Sequence, residues 1–159
     1  MIRDNELIFT ASAGDTPTTT NVAYGSVILD TGPLVASPFA NTGRDMGSGE
    51  RLVLEILIVT AGLSAATASQ VNFQLVTASS AALASATVLL ENLAAAAPTY
   101  TAGTRVRLPL PTNTTAYRRY MGVNCQITLG VLSALTYSAY IVKEVDSYKA
   151  YAPGFKLDA

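Results

Sequence analysis

Hydrophobic and polar residues alternate along the middle of the chain. In the segment VNFQLV, Val71, Phe73 and Leu75 fall on one face, and Asn72 and Gln74 fall on the other. A period of two is the pattern of a β-strand with one buried face, whereas an amphipathic helix repeats every 3.6 residues. The segment therefore predicts a half-buried strand.

The segment YMGVNCQITL repeats this alternation and predicts a second strand. After a turn near 130–134, the segment LTYSAYIVKEV predicts a third. Two alternating segments joined by a short turn are typical of a β-hairpin, so we expect these two strands to pair with each other. The predicted inward residues are Met121, Val123, Cys125, Ile127 and Leu129 in the first strand, and Leu135, Tyr137, Ala139 and Ile141 in the second.

Two further segments predict strands in different surroundings. RLVLEILIVT is apolar on both faces apart from Glu55, as expected for a central strand that is covered on both sides. RVRLPLP alternates Arg105 and Arg107 with apolar residues, and its Pro109 and Pro111 cannot donate to a β-ladder. We therefore expect this second segment to end at the edge of a sheet.

Weaker strand patterns occur at 6–11, 21–29 and 85–91. The Ala-rich run at 77–97 has helix propensity, but its flanks are strand-like, so we expect a short helical turn at 80–84 followed by the strand ATVLL. About eight short strands separated by Gly, Pro, Ser and Thr turns predict an all-β chain, an antiparallel jelly-roll-like β-sandwich with irregular N- and C-terminal arms. No break in composition divides the chain, which predicts a single domain over 1–159.

The composition is apolar and poor in charge. Only 13% of the residues are charged and 50% are hydrophobic, whereas soluble domains average about 25% charged residues. We therefore expect part of the surface to be covered by a membrane or by a partner. Polar residues interrupt both long uncharged stretches, 56–90 and 120–142, so we expect no membrane span. The N-terminal MIRDNELIF lacks the apolar core of a signal peptide, so we expect no export by that route.

The residue types argue against catalytic and metal chemistry. The chain has no His, its single Cys is Cys125, and its acidic residues are scattered. The usual zinc donors and the usual general base near neutral pH are therefore missing. A net charge of -1 provides no positive field for a polyanion. We expect no enzyme activity, metal, cofactor or nucleic-acid partner, and we expect Cys125 to be a small core residue.

A glycine-rich loop, GRDMGSGE, precedes the most apolar strand. A phosphate-binding loop places its glycines after a strand and before a helix, with a Lys close behind. Here the order is reversed and the nearby cations are Arg44 and Arg51. We therefore expect a structural or interface loop, in which Arg44, Asp45, Glu50 and Arg51 either form ion pairs between subunits or stay solvated.

Aromatic residues concentrate towards the C-terminus. Seven of the eight tyrosines lie at or after Tyr100, and the closing segment is KEVDSYKAYAPGFKLDA. Tyrosine suits interfaces because its ring buries area while its hydroxyl keeps a hydrogen bond, although cross-strand packing explains such residues equally well. Tyr148, Tyr151 and Phe155 are the candidate interface residues of this segment.

Several segments together resemble a known family. They are DNELIF, TNVAYGSVILD, GRDMGSGERLVLEILIVTAG with SQVNFQLVTASS, RLPLP followed by RRYMGVNCQITLG, and AYIVKEVDSYKAYAPGF. In this order, over nearly the whole chain, they resemble the capsid decoration (cement) proteins of short-tailed bacteriophages. The resemblance implies a jelly-roll homotrimer, made in the host cytoplasm, that binds the outer capsid surface of the virion and clamps neighbouring major capsid subunits. Relatives often carry basic or aromatic residues where this chain has MGVNCQ, so the strands that form the trimer contacts are left open.

Two other classes of function compete with this interpretation. A carbohydrate- or receptor-binding β-sandwich usually needs exposed aromatic rings, Trp above all, and the chain has no Trp. An enzyme is disfavoured by the missing His. Should the arms and the glycine-rich loop not make the capsid contact, the alternative contact surface is a sheet face bearing Asn72, Gln74 and Arg105.

Overall fold

A computed structural model describes residues 7–10, 14–17, 21–24, 26–31, 52–64, 69–111, 117–130 and 132–143. In these ranges the chain forms nine β-strands and one 3₁₀ turn, Ala97–Thr99. The strands are β1 (Asn21–Tyr24), β2 (Leu29–Asp30), β3 (Leu52–Ser64), β4 (Gln70–Ala78), β5 (Thr87–Glu91), β6 (Ala95–Ala96), β7 (Arg105–Pro109), β8 (Tyr120–Thr128) and β9 (Leu132–Lys143). The all-β prediction is confirmed.

The strands form two antiparallel sheets. The larger sheet has the order β1-β8-β4-β5, and in addition β2 pairs with β8 and β6 pairs with β4. The smaller sheet has the order β7-β3-β9. Single bridges from Ile8 to Tyr140 and from Asp15 to Tyr137 attach the N-terminal segment to the edge of β9 that does not pair with β3.

The inner faces of the two sheets share one hydrophobic core, as a β-sandwich requires. Phe73 lies at its centre, edge-on to the rings of Tyr100 and Tyr137 at centroid distances of 5.6 and 5.1 Å. Burial of each large apolar side chain stabilises the fold by about 1.5–3 kcal/mol. The predicted sandwich and the predicted inward residues of 71–75, 121–127 and 135–141 are confirmed. The fully buried members include Leu54, Ile56, Ile58, Val71, Phe73, Leu75, Met121, Val123, Cys125, Leu135 and Ala139.

The predicted hairpin between the second and third alternating segments is wrong. β8 pairs with β1, β2 and β4, whereas β9 pairs with β3 in the other sheet. Both strands bury one face in the same core, so the turn between them carries the chain across the sandwich. Leu129 begins this turn with φ 61 and is 68% exposed, instead of pointing inward as predicted. The alternation predicted which face is buried, but it carries no information about the neighbouring strand.

β3 is central in the smaller sheet and β7 forms its edge, as predicted. The predicted cover on both sides of β3 is wrong, because Val59 on its outer face is 46% exposed. The Ile58 amide donates to the Thr104 carbonyl and the Leu110 amide donates to the Leu52 carbonyl. The backbone groups of residues 104 and 110 therefore point towards β3. Because hydrogen-bonding direction alternates along a strand, the nitrogen of Pro109 points away from β3, at the free edge of the sheet. A proline there costs the ladder no hydrogen bond.

The predicted helical turn at 80–84 is wrong, although the strand after it is confirmed as β5. The segment forms two successive turns, in which Leu83 and Ser85 adopt left-handed φ values of 52 and 53. Leu83 is 1% exposed and packs against Val76 and Ala78 on the outer face of the larger sheet. This packing outweighs the helix propensity of the alanines. Of the weaker patterns, 21–29 holds β1 and the start of β2. The described part of 6–11 forms no strand and bridges β9 at Ile8.

Candidate interaction surfaces

The outer face of the smaller sheet carries an ion-pair network around Glu55. Because Leu54, Ile56 and Ile58 point into the core, the odd-numbered residues from Val53 to Val59 point outward. Register places Arg107 and Tyr140 directly beside Glu55, on β7 and β9, and Arg105 one pair further along, beside Leu57. Long cross-strand side chains at such positions reach one another.

Three donors satisfy the Glu55 carboxylate, which is 0% exposed. Arg107 Nε donates to Oε2 at 2.7 Å, and the Tyr140 hydroxyl donates to Oε1 at 2.7 Å. Arg105 Nη1 also donates to Oε1. The side chains of Arg105 and Arg107 stay 44% and 64% exposed, so the carboxylate of this network is buried but its two guanidinium groups are not.

This environment lowers the pKa of Glu55. Burial alone would raise the pKa, because it disfavours the charged form. The hydrogen bonds from Tyr140 and Arg107 and the charges of Arg107 and Arg105 outweigh burial, and the pKa falls below its ordinary value. Glu55 is therefore an ionised anchor that holds two guanidinium groups side by side.

The outer face of the larger sheet carries a ladder of amide side chains. Asn124 Nδ2 donates to Gln74 Oε1 at 2.6 Å, and Gln74 Nε2 donates to Glu91 Oε2 at 2.8 Å. Longer bonds link Gln74 to Gln126 at 3.3 Å and Asn72 to Glu91 at 3.4 Å. Asn72 and Gln74 face outward as predicted, yet both are only 9% exposed.

Asn124 has an unsatisfied acceptor in this ladder. The residue is 2% exposed, and its Oδ1 has no hydrogen-bond partner. A buried polar atom without a partner costs about 1–3 kcal/mol of folding free energy.

Some large apolar side chains are exposed at turns and sheet margins. Leu93, between β5 and β6, is 91% exposed, and Leu129, between β8 and β9, is 68% exposed. Val59 on β3 and Val88 on the edge strand β5 are about half exposed, at 46% and 45%. Isolated apolar residues are ordinary on a protein surface, so they support an interface only beside other evidence.

The described residues offer little for catalysis. Burial raises the pKa of Cys125 to about 12, so its thiol stays protonated and unreactive at neutral pH. Within the described ranges, no three His, Cys, Asp or Glu side chains are grouped so that they could hold a metal ion. That part of the chain also contains no helix that is long and apolar enough to cross a membrane.

The interface residues predicted from the sequence stay predictions, because all of them lie outside the described residues. They are Arg44, Asp45, Glu50, Arg51, Tyr148, Tyr151 and Phe155. The predicted alternative contact face, which placed Asn72, Gln74 and Arg105 on one sheet face, is wrong. Asn72 and Gln74 lie on the outer face of the larger sheet, and Arg105 lies on the outer face of the smaller one.

Sequence reasoning missed both polar networks. The signals were present as a lone Glu inside an apolar strand, an Arg-x-Arg pair on another strand, and alternate amides in VNFQ and VNCQ. The sequence does not show the register between β3 and β7, and Glu55 and Arg105 are 50 positions apart along the chain. Only pairing of β3 with β7 brings them together.

Comparison with known proteins assigns the sandwich to a family. The Bbp16 family model matches residues 13–141, which include β1 to β8 and most of β9. The matched range thus contains both polar networks. None of the curated proteins compared with the chain matches it.

Proposed function

Because the chain belongs to the Bbp16 family, we propose that it is a structural virion protein. It binds the outer surface of a phage capsid as a homotrimer and reinforces the contacts between major capsid subunits. It is made in the host cytoplasm and joins the virion at the outer capsid surface. The proposal assigns no enzyme activity, cofactor, nucleic acid or membrane to the chain.

The observation that carries this proposal is the extent of the family match. The phage association of the Bbp16 family supports a role in the virion, and the match spans the sandwich rather than one short motif. The segments that resemble decoration proteins run through the same range. The trimer and the capsid contact come from that resemblance.

The construction of the outer faces also supports a contact function. On each sheet, hydrogen bonds between neighbouring strands hold polar side chains in fixed positions. Fixed side chains lose little conformational entropy on binding, so a face of this kind favours association with another surface. The low charge of the chain agrees with a surface that is partly covered in use.

Binding to capsids tests the proposal directly. Purified protein is mixed with heads from a phage that lacks this gene, and the mixture is sedimented. We expect saturable co-sedimentation, and we expect bound protein to raise the temperature at which the heads break open. Absence of binding to such heads would contradict the capsid role.

A carbohydrate- or receptor-binding module is the second candidate. The observation that favours it is the amide ladder and its exposed Glu91 carboxylate, because amide and carboxylate groups are the usual partners of sugar hydroxyls. Binding of the isolated protein on a glycan array, abolished by Gln74→Ala, would favour this candidate over the capsid role.

A further inference from the structure

The outer face of the smaller sheet holds two arginines in a fixed arrangement with donors left over. Arg107 uses Nε for Glu55 and keeps its two Nη groups, while Arg105 uses Nη1 and keeps Nε and Nη2. Each guanidinium thus keeps a complete pair of parallel N–H donors, the arrangement that binds a carboxylate in bidentate fashion. Among the described residues, neither guanidinium group has a hydrogen-bond partner other than Glu55.

The charge of this face is unbalanced. One buried carboxylate faces two guanidinium groups, which leaves a net positive charge on side chains that are 44% and 64% exposed. Along β3 the charged pair is continued by Leu57, which is half-buried, and by Val59, which is 46% exposed. Arginine beside apolar side chains is the composition enriched in protein interfaces.

Glu55 holds both arginine side chains in place before a partner binds, and Tyr140 holds Glu55 through a hydrogen bond. Two guanidinium groups on the same carboxylate repel each other, and the ionised Glu55 between them offsets that repulsion. Because its carboxylate and the sheet already fix both side chains, a second carboxylate binds without the usual loss of arginine side-chain entropy.

We propose that the surface formed by Arg105, Arg107, Leu57 and Val59 is a docking site for a carboxylate-bearing segment of a protein partner. Charge complementarity selects the acidic side chain, and the apolar residues on β3 accept the adjoining apolar part of the segment. This site does not depend on the capsid role, because it would serve an acidic segment in any assembly.

A labelled peptide of ten glutamates tests the charge selection by fluorescence anisotropy. We expect saturable binding at low salt that weakens as salt rises. The variants Arg105→Gln and Arg107→Gln should each weaken binding by about tenfold, the effect of one lost charge-assisted hydrogen-bond pair. Arg119→Gln is the matched control, since Arg119 is 41% exposed, is paired with Asp30 outside this surface, and costs the same unit of charge when replaced. It should weaken binding less than about twofold.

Two results would overturn the proposal. One is no binding of the peptide to the wild-type protein at low salt. The other is an equal loss of affinity in Arg119→Gln and Arg105→Gln, which would show that the peptide senses only overall charge. If the glutamine variants unfold, Arg105→Lys and Arg107→Lys take their place. Lysine keeps the charge but cannot bind in bidentate fashion, so undiminished affinity in both would also contradict the site.

Discussion

Burial of the Glu55 carboxylate costs desolvation free energy, and its ion pairs and hydrogen bonds offset that cost. A carboxylate with no exposed surface needs partners for both oxygens, and Arg105, Arg107 and Tyr140 supply them. The guanidinium groups stay partly in water, so their desolvation is only partial. The carboxylate therefore bears the full cost of leaving water, while the two cations keep part of their hydration.

Replacement of this carboxylate should reduce stability in a pH-dependent way. Glu55→Gln should lower the free energy of unfolding at pH 7 by about 1–3 kcal/mol, because it leaves two arginines facing a neutral amide. The folded-state pKa of Glu55 lies below its ordinary value of 4.5, so the contribution is complete above pH 4.5 and disappears as the pH falls through the lowered value. Urea unfolding at several pH values measures both effects.

The control for this prediction is Glu91→Gln, since Glu91 is an exposed carboxylate that accepts hydrogen bonds from the amide ladder. Its effect at pH 7 should be the smaller of the two. A stability gap between wild type and Glu55→Gln that stays the same at low pH would contradict the linkage.

The reactivity of Cys125 depends on its burial. The thiol is 0% exposed and burial raises its pKa to about 12, so thiol reagents should label it only after unfolding. Cys125→Ser should cost about 1–3 kcal/mol, because the buried hydroxyl needs a partner, and Cys125→Ala should cost less than Cys125→Ser. Labelling kinetics with and without urea measure the first point. Rapid labelling of the native protein would place Cys125 outside the core.

Among the strands, β3 has an irregular end that contacts the segment linking β6 to β7. Its register with β9 shifts between Ile58 and Thr60 and again before Leu63, as β-bulges produce. There the Gly62 amide donates to the Tyr100 carbonyl at 2.8 Å, next to the 3₁₀ turn. The strand therefore bends towards the residues that link β6 to β7.

Because of this close approach, replacement of Gly62 should destabilise the fold. A Cβ at Gly62 would clash with the Ala97 carbonyl oxygen, which is backbone and cannot rotate away. Gly62→Ala should therefore cost about 1–3 kcal/mol, the usual range for overpacking. Gly103→Ala is the control, because a Cβ there meets no atom within 4 Å and only the φ of +86 is strained. Chemical denaturation should rank Gly62→Ala as the less stable variant, and the opposite ranking would show that the 3₁₀ turn moves freely.

At the scale of the whole molecule, assembly is the property that links the fold to the proposed role. A sandwich with few charges and several exposed apolar side chains gains stability by covering part of its surface. We expect native mass spectrometry to give three times the 16.6 kDa of one chain. A monomer at micromolar concentration would contradict the trimer but not capsid binding, since a lattice assembles subunits by avidity.

The glycine-rich loop and the C-terminal segment are expected to make much of the capsid contact. Removal of 147–159, or replacement of Arg44 and Arg51 by Ala, should lower capsid occupancy more than it lowers the melting temperature. Interface contacts are repeated across a lattice, so small losses multiply. Co-sedimentation and thermal unfolding of the same variants test this, with Arg119→Gln as a control outside these segments. Full occupancy would exclude both segments as the main contact and direct attention to the surface around Arg105 and Arg107.

The sequence by itself determined the fold class and most of the core. A period of two is a local property, so the inward positions of Phe73, Cys125 and Tyr137 follow from their immediate neighbours. The central place of β3 follows from its apolar residues on both faces, and the edge place of β7 from its prolines. Local patterns sufficed wherever the structure depends on nearby residues.

The tertiary structure decided how these strands meet. Alternation cannot distinguish a hairpin from a crossing between sheets, so the separation of β8 and β9 and the exposure of Leu129 were not predictable. Leu83 took a non-helical turn because its side chain packs on the outer face of the larger sheet. The Glu55 network arises for the same reason, because residues about 50 to 85 positions apart become neighbours only through strand register, which depends on the global packing of the sandwich.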